Sequence, residues 1–285
     1  MPLSVIDLYR DILPKTNCGD CGYSTCMAFA SMVVSEQLPL ANCPHLDPDV
    51  IERCEKELKQ QYANKKWTKR DMAEDALAWA RERSASMALH DLPDRIGGEL
   101  IDQNGRTALK LPYFNDSVII TFEAITTPEG TPLTRYEQVF IYNHMAQGGN
   151  AKPRENWKSL VEFPNTVSKI KSMKNHVEAP LIETFRGRAD SLVSAGKAIG
   201  GQDQTKALAN ADAALFFQAL PRVPVRLNFW DAAPDEGFDA EAKLLFDETI
   251  TEHLDIESIM FLSERIAELL IEQGNAIKDI QPQSP

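Results

Sequence analysis

Cysteine is scarce in this chain except at one end. There are five in 285 residues, and none follows Cys54. An odd number, four of them crowded between residues 18 and 43, does not make the framework of a secreted disulfide protein. A reducing cytoplasm is the expected setting. Long hydrophobic runs are also missing. The apolar stretch Met27–Val34 falls far short of the ~18 residues that a membrane span needs. The first ten residues lack a basic segment followed by an apolar run, so no secretory signal is expected. Basic residues are outnumbered, 30 against 42 acidic, for a formal net charge of −12. That balance excludes the broad basic footprint of a nucleic-acid binder. No Gly-x-Gly-x-x-Gly, P-loop or Gly-x-Ser-x-Gly pattern occurs, which removes the common nucleotide-binding and serine-hydrolase signatures. There is no internal repeat.

What the chain does have is the stretch Asn17-Cys-Gly-Asp-Cys-Gly-Tyr-Ser-Thr-Cys26, followed by Cys43-Pro44. The spacing Cys18-x2-Cys21-x4-Cys26-x16-Cys43 gathers four soft thiolates in one short module. Such a donor set suits a metal centre, and an iron–sulfur cluster is the leading form of it. Gly19 and Gly22 each follow a cysteine and permit φ > 0, leaving N–H groups free for cluster sulfides. Cys26 falls in the first turn of an expected helix, whose positive end favours a net negative cluster. Zinc is the rival. A four-cysteine zinc site usually pairs two short-spaced knuckles, and here only Cys18/Cys21 is one; His45 is a turn residue that could stand in for Cys43. A thiol/disulfide pair or an empty site would be the remaining alternatives.

Along the chain, residues 4–13 read as a short amphipathic helix with Val5, Leu8, Ile12 and Leu13 on one face. Ser24 or Thr25 caps a helix from Cys26 to about Gln37. Asp47-Pro48 opens another that runs to about Tyr62, with Ile51, Cys54, Leu58 and Tyr62 on one face. Cys54 is therefore expected to be a small buried hydrophobe. Residues 64–67 read as a hinge, and Thr68-x-x-Asp71 as an N-terminal cap. A long helix to about His90 should turn Met72, Ala76, Trp79, Ala80 and Met87 inward. Strands are expected at about 98–103, 106–111 and 117–124, the first two joined by Asn104-Gly105. A helix from Thr134 to about Gln147 ends at Gly148-Gly149. Residues 150–166 read as loop, 167–176 and 180–199 as helices, and 213–219 and Val223–Trp230 as strands with edge prolines at 221 and 224. Residues 240–246 fit a strand or a short helix, and 255–273 a final helix before a disordered tail. The fold class is α+β or α/β: a small all-helical module (1–65), then a larger mixed-sheet domain packed by helices (66–280).

The segment Leu13-Pro-Lys-Thr-Asn-Cys-Gly-Asp-Cys-Gly-Tyr-Ser-Thr-Cys-Met-Ala-Phe-Ala30, with Cys43-Pro44, resembles the [4Fe-4S] module of the large subunit of the corrinoid iron–sulfur protein, which works in the acetyl-CoA pathway. It is similar, too, to the module in the B subunit of Rnf-type electron-transport complexes. The resemblance implies a [4Fe-4S] cofactor held by Cys18, Cys21, Cys26 and Cys43. It also implies transfer of single electrons, and a redox partner such as a corrinoid protein or methyltransferase. The cobalamin signature Asp-x-His-x-x-Gly is absent, so corrinoid binding by this chain is not implied. The larger domain resembles an uncharacterised α/β family found behind this module in anaerobic bacteria. That likeness rests on Leu220-Pro-Arg-Val-Pro-Val-Arg-Leu-Asn-Phe-Trp-Asp231, Phe238, Leu244-Leu-Phe-Asp247, His253-Leu254 and Trp157-Lys-Ser-Leu-Val-Glu-Phe-Pro164.

In the larger domain no catalytic constellation stands out, and the catalytic residues are unknown. His144 reads as a core or boundary histidine. His90, His176 and His253 are scattered without a metal-ligand spacing. Arg226 beside Trp230 could bind an anion or a planar ligand, though a salt bridge is the simpler reading. Asp231, Asp235, Glu236 and Asp239 read as a solvated loop. The expected function is one-electron transfer through the cluster. The alternatives are a reductase with its active site in the larger domain, and an interaction protein with a structural cluster.

Overall fold

A computed structural model describes residues 3–64, 72–103, 105–121, 123–208 and 210–280. The chain forms two compact units, Met1–Asp75 and Ala76–Pro285. Residues 65–67 of the expected hinge, the Thr68–Asp71 cap, Asn104 and the tail 281–285 lie outside the described residues.

The first unit is helical. Ser4 and Asp7 form a reciprocal capping box at the start of α1 (Val5–Asp7), and the chain continues as one π-helical turn, Leu8–Ile12. Leu8 and Leu13 are buried, while Val5 and Ile12 are half-buried. Thr25 caps α2 (Cys26–Glu36), which ends at Gln37 in the left-handed conformation. Its buried residues are Cys26, Phe29, Ala30, Val33 and Val34, a stripe of helical period. Asp47 caps α3 (Pro48–Ala63), with proline at the first position as expected. Helix α3 buries Cys54 and Leu58 and braces its neighbours. The Tyr62 hydroxyl lies 2.7 Å from the carbonyl oxygens of both Val33 and Val34, at the end of α2. Glu55 accepts from the Leu40 N–H at 3.0 Å, holding the 3-10 turn that delivers Cys43.

The second unit begins within α4 (Met72–Ser84). The expected long helix stops there. A 3-10 turn, Leu89–Asp91, leads to α5 (Leu92–Ile96), which Pro93 helps to start. Trp79 does not turn inward: it is 56% exposed, with the Arg83 guanidinium 4.6 Å over its ring. The buried face runs through Leu77, Ala80 and Ser84, at i, i+3 and i+7, and Trp79 lies off it. The next strands, β1 (Glu99–Gln103), β2 (Arg106–Tyr113), β3 (Asp116–Ile120) and β4 (Ile125–Thr126), form an antiparallel meander. Then come α6 (Arg135–Gln147), β5 (Trp157–Ser159), α7 (Val167–Met173), α8 (Ala179–Phe185) and α9 (Ala189–Ala198). Trp157 is thus in a short edge strand and not in the expected loop. The expected helix over 180–199 is broken at Arg186–Arg188, where Gly187 has φ 70°.

The remaining elements are β6 (Gln202–Asp203), β7 (Ala213–Leu220), β8 (Val223–Trp230), β9 (Glu241–Asp247), α10 (Ile250–His253) and α11 (Ile256–Ile280). The second sheet has the order β5-β9-β8-β7-β6 and is antiparallel throughout. With both sheets antiparallel, the larger unit is α+β. Strand β8 is central, so Pro224 is not on an edge. It is tolerated because it sits where the register with β7 shifts between Gln218 and Leu220. Val223, Val225, Leu227 and Phe229 alternate onto the core face and are fully buried, as expected. The core also takes in Ile259, Leu262, Ile266 and Leu270 of α11, which lies against α6, α8 and α9.

A buried carboxylate ties these layers together. Thr134 and Glu137 form a capping box at the start of α6. Glu137 also accepts from the Tyr113 hydroxyl and from Arg265 Nε, both at 2.9 Å. Burial pushes the Glu137 carboxyl up, but Thr134 and Arg265 outweigh it and hold it below the usual carboxylate range. Thr134→Ala should lower the stability of the larger unit by about 1–2 kcal/mol, while Thr134→Ser should be nearly silent. Urea denaturation followed by tryptophan fluorescence measures both; equal losses would show that the cap contributes nothing specific.

Candidate metal centre

Between Pro14 and Cys26 the backbone repeatedly enters the left-handed region. Lys15, Asn17, Gly19 and Gly22 have φ of 60°, 50°, 84° and 86°. At Gly19 and Gly22 a Cβ would meet nothing within 4 Å, so space is not what requires glycine there; the positive φ is. The Gly22 N–H donates to the Gly19 carbonyl at 2.8 Å and closes the turn around Cys21. Alternating hand at 15, 17 and 19 turns successive N–H groups to a common side, as in anion-binding nests. Asn17 is the residue after glycine that best tolerates this conformation. Its Oδ1 accepts from the Cys26 N–H at 2.9 Å. The Thr25 side chain accepts from the Ala28 N–H at 3.1 Å. Together these two acceptors satisfy donors of the first turn of α2, with Cys26 at its first position.

Cys43 arrives from the other side. It caps the 3-10 turn Leu40–Asn42 and is buried, as is Cys26; Cys21 is half-buried and Cys18 exposed. Burial pushes the Cys43 thiol up, the His45 backbone N–H opposes this, and the charges of Cys21, Cys26 and Cys18 raise it further. The other three cysteines thus all act on Cys43, and all four are free thiols. Among the described residues, no three cysteine sulfurs lie within 4.8 Å of one another. As donors, four soft thiolates suit an iron–sulfur core.

A tighter trio does occur at the rim: Cys18, Asp20 and His45 bring one ligand atom each within 4.8 Å, and all three are exposed. His45 Nε2 lies 2.6 Å from Asp20 Oδ2. Hydrogen bonds from His45 and then Cys18 hold the Asp20 carboxyl below its ordinary range. The pair links the cysteine loop to the Cys43 turn, so His45 is more than an incidental turn residue. Cys54 stands apart. It is 2% exposed in the apolar core, and burial pushes its thiol up despite Arg53.

The larger unit rearranges the remaining candidates. His90 and His176 are exposed, each beside a carboxylate, Asp91 and Glu264. His144 and His253, 109 residues apart, meet in the core with ring centroids 5.6 Å apart, and neither is exposed. Burial, with Arg222 and Arg95 adding to it, pushes His144 down to about 3, and burial also lowers His253. Arg226 does not lie on Trp230; it stacks over Trp157 at 4.3 Å and, among the described residues, forms no salt bridge. The Trp230 indole donates instead to the Asn210 carbonyl. Asp235, Glu236 and Asp239 are exposed as expected, but half-buried Asp231 accepts from the Gly187 N–H at 2.8 Å and anchors the break between α8 and α9.

Four free thiols around a left-handed loop, followed by an α+β unit, define an iron–sulfur protein with an appended larger domain. Residues 13–45 match the family model described as "Putative Fe-S cluster". Residues 88–269, well over half of the chain, match "Domain of unknown function (DUF3786)", and the chain belongs to that family. Curated relatives include the acetyl-CoA decarbonylase/synthase complex subunit gamma of Methanothermobacter thermautotrophicus, 42% identical over 55 residues, which are 19% of this chain and 12% of the relative. The corrinoid/iron-sulfur protein large subunit of Moorella thermoacetica is 46% identical over 46 residues, 16% of this chain and 10% of the relative. Subunit gamma 2 of Methanosarcina mazei is 27% identical over 147 residues, 52% of this chain and 27% of the relative. The chain thus spans only a minor part of the relatives it matches. No solved structure matches it.

Two outcomes follow from this geometry. Asn17→Gly keeps the left-handed backbone and removes only the acceptor of the Cys26 N–H, a loss of about 1 kcal/mol. Iron and sulfide retained after anaerobic chelator challenge should fall below wild type; unchanged retention would remove Asn17 from the site. In the larger unit, an unfolded chain takes up protons on His144 near the ordinary value of 6.5, long before the folded one does. Stability should be full above that value and decline as pH falls towards about 3, by up to about 1.4 kcal/mol per pH unit for each neutral histidine. Denaturation midpoints that do not change between about pH 7.5 and 5 would contradict this.

Proposed function

We propose that Cys18, Cys21, Cys26 and Cys43 hold a [4Fe-4S] cluster and that the module (1–65) passes single electrons for the α+β domain (66–280) or for a partner protein. The observation that carries this is a set of four free thiols at a left-handed loop, within the segment that matches the "Putative Fe-S cluster" family model, combined with their gradient of burial. A bound cluster supplies one-electron chemistry. The chain's own contribution is to fix it on one side and leave the other open. Cys26 and Cys43 belong to the apolar core, which gives their side rigidity and a low dielectric. Cys18 and the loop at 15–20 are exposed, so a redox partner can approach there.

Similarity to the gamma subunits and to the corrinoid/iron–sulfur large subunit supports a place in anaerobic one-carbon metabolism, with a corrinoid protein or a methyltransferase as partner. Among the described residues no helix is long and apolar enough to cross a membrane.

The test is anaerobic purification with iron and acid-labile sulfide analysis, then dithionite reduction monitored by electron paramagnetic resonance. An S = 1/2 signal is expected on reduction. It should be lost or converted in Cys21→Ser and unchanged in Cys54→Ser. One zinc per chain without sulfide would overturn the cofactor assignment, and a cluster that cannot be reduced would overturn electron transfer.

A further inference from the structure

Buried polar atoms are almost always hydrogen-bonded, and an orphan costs about 1–3 kcal/mol. Among the described residues five buried side-chain nitrogen or oxygen atoms lack a partner, and three belong to one neighbourhood: His144 Nε2, His253 Nδ1 and Arg222 Nε. The other ring nitrogens are committed. His144 Nδ1 lies 3.2 Å from the His253 carbonyl oxygen, and His253 Nε2 lies 2.9 Å from that of Ala151. A carbonyl only accepts, so both of these nitrogens carry the proton and both orphans are bare lone pairs. Arg222 is committed in the same way. Its two terminal nitrogens donate to the carbonyls of Asn150 and Asp94 at 3.0 and 2.8 Å, leaving the Nε–H. The unmet inventory is two acceptors and one donor.

That inventory discriminates between ligands. Carbonyl-locked imidazoles with free lone pairs resemble metal ligands. Yet no third histidine, cysteine or carboxylate atom joins them within 4.8 Å among the described residues, which leaves a metal ion two ligands short, and Arg222 acts on both rings against a cation while Glu252 and Asp247 oppose it only at His253. An anion would face two lone pairs. Both rings are fully buried, and the backbone at Gly148 packs tightly against His144. The Gly148 N–H donates to the His144 carbonyl at 2.7 Å, and a Cβ at Gly148 would come within 2.4 Å of that oxygen and of Ile96. What fits is a small neutral molecule with two donors and an acceptor.

We propose that His144, His253 and Arg222 enclose a single structural water, which donates to His144 Nε2 and His253 Nδ1 and accepts from Arg222 Nε–H. Three hydrogen bonds are the usual complement of an internal water. It would join α6, α10 and the β7–β8 turn, segments distant in sequence, under the Gly148–Ala151 loop.

A crystal structure of the full chain at better than about 1.5 Å, with anomalous data at the iron and zinc edges, tests this directly. The expected result is one non-anomalous solvent peak within about 2.7–3.2 Å of both ring nitrogens. An anomalous peak there, or rings contacting protein atoms with no peak between them, would overturn it. Oxygen-17 relaxation dispersion gives an independent count in solution. His144→Phe and His253→Phe should each lose one long-lived water relative to wild type, and the double variant should lose the same one. An unchanged count in variants that fold would equally reject the proposal.

Discussion

Bringing four sulfurs of like charge to one place is the constraint on which the N-terminal unit depends. Two thiolates about 6 Å apart repel by roughly 3 kcal/mol at an effective dielectric of about 20. Cys43 registers this repulsion from all three of its neighbours while being buried. A chain that gathers such a set needs both a cation-rich core to neutralise it and a backbone that cannot relax away. The second need explains the local chemistry. Left-handed residues turn the loop back on itself, Asn17 pins the start of α2 to that loop, and the His45–Asp20 contact ties the loop to the Cys43 turn. Further out, α3 fixes the turn before Cys43 through Glu55 and the end of α2 through Tyr62.

The larger unit meets a different constraint, that of burying polar side chains inside an antiparallel core. Glu137 solves it completely, with donors from a cap, a strand and a helix. Asp247, fully buried at the end of β9, solves it by accepting from the backbone of Arg154, Glu155 and Thr249. Both carboxylates thereby connect segments that apolar packing alone would leave free to slide. The two core histidines follow the same logic in neutral form, because burial disfavours the charged ring and Arg222 adds to it at both.

Much of this was legible in the residues themselves. Helix α2, helix α6, strand β8 and the burial of Cys54 all follow from short-range signals: a cap, a period, a bounding glycine or proline. What escaped depends on distant partners. Trp79 is expected inward with Ala76 and Ala80, but the stripe that pairs with the core runs through Leu77 and Ala80. Pro224 suggested an edge, and only the register shift against β7 shows how a central strand accommodates it. Residues 157–159 carry little strand signal, because an edge strand of three residues is specified by the partner it joins, Leu245 to Asp247. His144 and His253 have no spacing to reveal them, since a strand-and-helix path of 109 residues separates them. The cysteine pattern was legible because Cys18, Cys21 and Cys26 stand close in sequence, with Asn17, Gly19 and Gly22 shaping the loop around them.

The burial gradient across those cysteines also bears on how a partner could approach. Apolar packing around Cys26 and Cys43 lowers the dielectric on that side and slows any rearrangement there. On the side of Cys18 the loop is exposed, and its charged groups are already engaged, Lys15 with the Arg10 carbonyl and Asp20 with the His45 ring. Electron exchange needs close approach with little reorganisation. The buried face offers the rigidity and the open face offers the approach. On the proposed reading, the same loop that restrains the four sulfurs therefore also presents them, and substitutions that alter its left-handed residues should affect holding and presentation together, not separately.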